Sequence, residues 1–116
     1  MKNLIIILIL FSFGCGKNLT EEEKLVGSYV LKSKHTAIQK TVLLENGKSE
    51  CWMNGQKTEE PTWELVGKEV HVFSLEGVTD VYKKESTGDL TYVAYIEDGK
   101  RTDLPKERQH TYKKIK

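Results

Sequence analysis

Apolar and polar residues alternate with a period of two through most of the chain beyond residue 24, the spacing of half-buried β-strands. Leu90, Tyr92, Ala94 and Ile96 fall on one side of such an alternation, and Thr91, Val93 and Tyr95 on the other. Val70 and Val72 oppose His71 and Phe73, and Trp63 shares a face with Leu65. The pattern predicts strands over 24–31, 40–45, 48–53, 62–66, 69–75, 78–84, 90–97 and 109–115, with a weaker one over 100–104. Asn46-Gly47, Asn54-Gly55 and Asp98-Gly99 supply residues that tolerate the positive φ of type I′ hairpin turns. Short strands at even spacing joined by hairpin turns imply an all-β fold. The expected form is an antiparallel up-and-down barrel, or a strongly curved meander, of about eight strands. Leu31 to Gln39 and Gly55 to Pro61 read as polar loops. One helical signal stands out: Thr20 with Glu23 three residues on forms a capping box. That helix is a turn or two at most, because Val26 to Val30 already reads as strand. Alanine occurs twice, against ten threonines and nine valines, which disfavours longer helices.

The first fourteen residues break the pattern. Lys2 is followed by an unbroken apolar run from Leu4 to Phe11, and then Ser12-Phe13-Gly14 leads into Cys15. A basic start, an apolar stretch and a small residue before a cut are the parts of a secretory signal peptide. Ten apolar residues as a helix rise about 15 Å, half the thickness of a bilayer's hydrocarbon core, which is too short for a permanent span. Ser12-Phe13-Gly14-Cys15 resembles the lipobox of bacterial lipoproteins, with Gly14 and Cys15 matching and Ser12 standing where Leu is usual. The resemblance implies that 1–14 is a lipoprotein signal peptide. Cys15 then becomes an acylated N-terminus, bearing chains such as palmitate, and 15–21 is a lipidated tether to the membrane. More than one acyl chain makes such anchoring stable. The expected location is the bacterial cell envelope. The absence of Asp after Cys15 favours the outer membrane over the inner.

The remainder, 22–116, resembles small lipocalin-like domains. Glu22-Glu23-Lys24-Leu25-Val26-Gly27-Ser28-Tyr29 is similar to their opening, a helical turn leading into a strand with Gly-x-Trp, here with Tyr29 in place of the Trp. Leu43-Leu44-Glu45-Asn46-Gly47, Thr62-Trp63-Glu64-Leu65-Val66-Gly67-Lys68 and the closing Thr111-Tyr112-Lys113-Lys114-Ile115 also fit. The resemblance implies a β-barrel that takes a small apolar ligand at its mouth.

Charge narrows the function. Lys plus Arg number 18 and Asp plus Glu 17, and only Lys2 lies in the leader, so the domain itself is balanced. A polybasic nucleic-acid binder is excluded. His35, His71 and His110 show no metal-ligand spacing, and there is no nucleophile elbow or phosphate loop. No cofactor and no catalytic residue is therefore expected, and the domain reads as non-enzymatic. With Cys15 acylated, Cys51 has no partner for an intramolecular disulfide and reads as a small buried hydrophobe. Trp63 reads as core. Trp52, which is out of phase with Cys51 and Met53, together with His35 and Tyr95, are the candidate binding residues. Two function classes stand. One is a binding module for a small apolar ligand or an envelope partner. The other is an interaction or inhibitor module with a filled β core, a reading favoured by the large inward candidates Trp63, Leu65, Leu90, Tyr92 and Ile96.

The lipobox reading has a direct check. A Cys15→Ser variant is expected to lose its acyl chains by mass spectrometry and to leave the membrane fraction. A variant that stays membrane-bound and is still cut before position 15 contradicts it.

Overall fold

The computed structural model describes residues 20–32 and 37–116. The predicted signal peptide, Cys15 and His35 lie outside these residues. Thr20 caps a short helix α1 (Glu21–Leu25), receiving the Glu23 amide on its hydroxyl at 3.0 Å while its own amide donates to the Glu23 carboxylate at 2.9 Å. The capping box therefore forms as the sequence implies. Ten strands follow: β1 (Gly27–Lys32), β2 (Ile38–Leu43), β3 (Ser49–Met53), β4 (Gln56–Glu59), β5 (Thr62–Val66), β6 (Glu69–Phe73), β7 (Val78–Lys84), β8 (Leu90–Glu97), β9 (Lys100–Asp103) and β10 (His110–Lys114). All pairings between them are antiparallel, in the order β4-β3-β2-β1-β10-β8-β7-β6-β5, with β9 beside β8. The result is one curled antiparallel half-barrel.

Two features set this order. The C-terminal strand lies between the first strand and the eighth. Lys113 and Lys114 pair with Val30 and Tyr29, while His110, Thr111 and Tyr112 pair with Tyr92, Thr91 and Leu90. At the two ends of the order, β4 and β5 are joined only by Glu60-Pro61. There the Ser49 amide and hydroxyl both donate to the Pro61 carbonyl, at 2.9 and 2.8 Å, and Lys48 bridges Thr62.

Gly55 to Pro61 is not a loop: the Asn54-Gly55 turn, with φ of 52° and 86°, returns the chain as β4. Gln56, Lys57, Thr58 and Glu59 lack apolar alternation because β4 is an edge strand with little to bury. The loop after β1 is also shorter than expected, since β2 begins at Ile38. Asp98-Gly99 forms a positive-φ pair as predicted, and so does Asn46-Gly47, although Glu45 joins that turn instead of ending a strand.

The alternation along β8 is also reset. Val81 pairs with Ala94 but Tyr82 pairs with Tyr92, which leaves Val93 as an extra residue in a bulge. Its carbonyl accepts the Leu104 amide at 2.8 Å, at the point where β8 passes from β10 to β9. Leu90, Tyr92 and Tyr95 therefore face the concave side, and Thr91, Ala94 and Ile96 the convex side. The expected grouping of Leu90 and Tyr92 with Ala94 and Ile96 does not hold.

The core fills the concave side: Leu25, Tyr29, Leu43, Trp63, Val70, Val72, Tyr82, Leu90 and Tyr112 are all buried together. Leu25 brings α1 into this core as a plug. The Tyr29 hydroxyl donates to the Leu25 carbonyl at 2.6 Å, and the Lys114 ammonium donates to the Lys24 carbonyl at 2.7 Å. Gly27 is required here, because a Cβ at this position would collide with the Lys116 carbonyl. Trp63 donates its indole N–H to the Leu44 carbonyl at 2.8 Å, which satisfies its one polar group. On the convex side Arg101 of β9 reaches across to Glu69 of β6 with two bonds of 2.9 and 2.8 Å, and His71 approaches the same carboxylate at 3.1 Å.

Removing 109–116 takes out the strand shared by both halves of the sheet together with Tyr112 from the core. The truncated chain is expected to lose its cooperative thermal transition. A monomer that melts at the full-length temperature contradicts this.

Candidate functional site

The two ends of the half-barrel differ chemically. At one end lie α1, the turn at Glu45–Gly47, the Gly67 turn and the segment Glu85–Asp89; the large apolar side chains pack there around Leu25 of α1, and a groove of about 550 Å³ remains between α1, the Glu45–Gly47 turn and Trp63. At the other end lie the start of β2, the Asn54-Gly55 turn, the turn from Ser74 to Gly77 and the Asp98-Gly99 turn. The concave surface beneath this second end carries polar groups on six strands. Register fixes which side chains face inward. Cys51 lies opposite Thr41 and Thr41 opposite the fully buried Tyr29; Asp80 lies opposite Val72 and Tyr95; Glu59 lies opposite Cys51.

These groups form a connected set. The Tyr92 hydroxyl donates to Asp80 Oδ1 at 3.0 Å, the Ser74 hydroxyl to Glu59 Oε2 at 3.2 Å, and the Tyr112 hydroxyl to Gln39 Oε1 at 2.9 Å. The Tyr82 ring stands 5.4 Å from Tyr92 and 5.6 Å from Tyr112, the latter edge-on. Burial raises the Asp80 pKa, the Tyr92 hydrogen bond opposes that rise, and the Glu59 charge adds to it. Burial, then the charges of Glu59 and Asp80, push the Cys51 thiol up to about 11. Cys51 is thus an inward, half-buried neutral thiol. Burial, with Asp80 and Cys51 adding, brings Tyr112 to about 12. Every hydroxyl and thiol in this set stays protonated at neutral pH. Cys51, Glu59 and Asp80 do not form a metal site: no three such ligands converge among the described residues.

No protein-family model, no curated protein and no solved structure matches this chain.

Of the predicted binding residues, His35 is outside the described residues, and Trp52 and Tyr95 lie on opposite faces of the sheet. Trp52 lies opposite Lys40 and Lys57, on the convex face of β3. The Lys40 ammonium sits 4.7 Å from its ring centre and the Lys57 ammonium 5.9 Å, and its indole N–H donates to Glu50 at 3.0 Å. Tyr95 lies on the concave face beside Asp80. The residues missed from the sequence are Asp80, Glu59 and Tyr92. Asp80 interrupts the apolar pattern of β7 on its inward side, between Val78 and Tyr82, and that interruption is the signal that could have marked it.

Asp80 lowers stability when ionised. Its folded pKa lies above its unfolded value, so the folded state holds its proton longer as pH rises. Stability falls as pH rises through the ordinary aspartate range to the raised folded value, and stays lowered above it. Asp80→Asn keeps an acceptor for Tyr92. It is expected to melt a few degrees above wild type at pH 7, and at the wild-type temperature below the aspartate range. A lower melting temperature at pH 7 contradicts this account of Asp80.

Proposed function

We propose that this protein is a non-enzymatic bacterial envelope lipoprotein whose lipocalin-like barrel binds a small ligand at the end opposite its membrane anchor. The carrying observation is the asymmetry of the half-barrel: one end plugged by α1, the other lined by phenol, thiol and carboxyl groups. Cys15 precedes Thr20 by five positions, a reach of at most about 18 Å. An acylated Cys15 would hold the α1 end against the bilayer and leave the polar end facing away, open to solutes. The strand order supports the lipocalin-like reading, since β1 to β8 follow one another around the curl and β10 returns to β1. We infer that the contact at Ser49–Pro61 and Lys48–Thr62 is the seam at which this barrel closes. Tyr92 and Tyr95 with the Asp80 carboxylate on the inward side of this end support the ligand reading.

A second reading has one observation in its favour. β4 pairs only with β3, so its other edge is free among the described residues, and an envelope protein could add a strand there.

Hydrogen exchange of the anchored protein on vesicles, with and without envelope extract, separates the two. Ligand binding at the polar end predicts protection in 73–78 and 92–97. Protection confined to 56–59 supports strand addition instead, and a hydrolytic activity lost with one side chain contradicts both.

A further inference from the structure

We propose that the groove beside α1 is the seat of the chain's own preceding segment, Gly16 to Leu19, with Leu19 against Val26 and Trp63 and the Lys17 ammonium among the glutamates around it. The contact itself is independent of the ligand reading. Its consequence, a fixed orientation at the membrane, rests on the anchored reading above. The groove holds about 550 Å³ between α1, the Glu45–Gly47 turn and β5. Thr20, where the described chain begins, is one of the residues that line it, so the chain enters the fold at the groove. Thr20 is extended, at φ −71° and ψ 167°, and the capping box holds both its amide and its hydroxyl to Glu23. An extended chain leading into it puts residues 17 and 19 on one side and 18 on the other.

Three observations favour this occupant. The first is charge. Glu22, Glu23, Glu45 and Glu64 line the groove, no lysine or arginine does, and none of these carboxylates is in an ion pair among the described residues. Lys17 is the one charged residue between Cys15 and Thr20. The second is apolar contact. A hydrophobic residue just ahead of an N-cap ordinarily packs on the fourth helical residue. Here that residue is Lys24, whose ammonium turns to Glu21 at 3.5 Å. The groove offers Leu19 two other surfaces, Val26, which is only partly buried against the core, and Trp63. The third is attachment. The segment is joined to the groove at Thr20, which gives it an effective concentration of order millimolar, so a modest contact is enough to seat it. Lys17 lies at most about 11 Å from Thr20, within reach of the groove. Seated in this way, the segment fixes where the anchor leaves the domain, and the domain no longer swings on the full reach of its tether.

Methyl NMR of the full chain in lipid nanodiscs, together with trypsin, which cuts after Lys17, tests this. The Leu19 methyls are expected to show Overhauser contacts to the Val26 methyls and the Trp63 ring. The bond between Lys17 and Asn18 should be cut at least about tenfold more slowly than in a free peptide of residues 15–22, as followed by mass spectrometry. Leu19→Ser should restore most of the peptide's rate, and Glu45→Gln with Glu64→Gln should speed cutting several-fold, each with a cooperative melt that shows the fold intact. Cutting at the peptide's rate with no Leu19 contacts overturns the proposal. So does protection that Leu19→Ser leaves unchanged, because shielding by the bilayer alone would behave in that way. Protection unmoved by the paired Gln substitutions overturns the charge contact. Leu19 contacts found only between differently labelled copies give the groove to a second copy's segment and overturn the intramolecular seat. A chain that carries no acyl group and stays out of the nanodiscs, yet shows the contacts in solution, overturns the anchored reading and leaves the seat standing.

Discussion

The fold depends on one strand serving two partners. β10 gives its C-terminal half to β1 and its N-terminal half to β8, so five residues join the beginning of the sheet to its end. Much else is built onto that junction. Tyr112 sits in the core between the two halves, against Tyr82. The Lys114 amide donates to Asp89 at 2.9 Å, fixing the β7–β8 turn, and the Lys114 side chain holds α1 through the Lys24 carbonyl. The main chain continues past Gly27, where the Ser28 amide meets the Lys116 carbonyl. The plug, the first strand and the last strand therefore form one cooperative unit, and its position decides which end of the half-barrel is filled.

The concave side is partitioned along the strands. Near α1 it is occupied by Leu25, Tyr29, Leu43, Trp63 and Leu90, whose burial supplies the driving force for the curl. Toward the other end the same strands place Gln39, Cys51, Asp80, Tyr92 and Tyr95 inward. A small domain has little apolar surface to spare, and an ionisable Asp in this space works against stability. Proteins commonly keep such groups where function needs them. The convex side shows the contrasting case: Glu69 carries a charge at no such cost. The paired Arg101 bonds, then His71, hold its pKa down to about 2.

How much of this was legible in the sequence follows from how local each feature is. The capping box at Thr20 and the Asn54-Gly55 and Asp98-Gly99 turns are set by residues within four positions of each other, and they form as read. The strands from Thr62 to Lys84 were visible because each buries one face. β4 was not, since its polar residues carry no alternation, although the turn before it demands a returning strand. The bulge at Val93 was hidden for a different reason: a single extra residue shifts the face of everything after it while leaving the apolar composition unchanged. Asp80, Glu59 and Tyr92 are separated in sequence and meet only because the sheet curls. Trp52 drew notice as an aromatic residue out of phase with its neighbours, and its place is between two lysines on the convex face.

The central claim is that Asp80 is an ionisable group held partly buried on the inward side of the polar end, where its charge works against the fold. Carbon-13 NMR of the side-chain carboxyls, titrated with pH, addresses Asp80 itself. The account predicts a midpoint above the ordinary aspartate range. A midpoint at or below the ordinary range would contradict it.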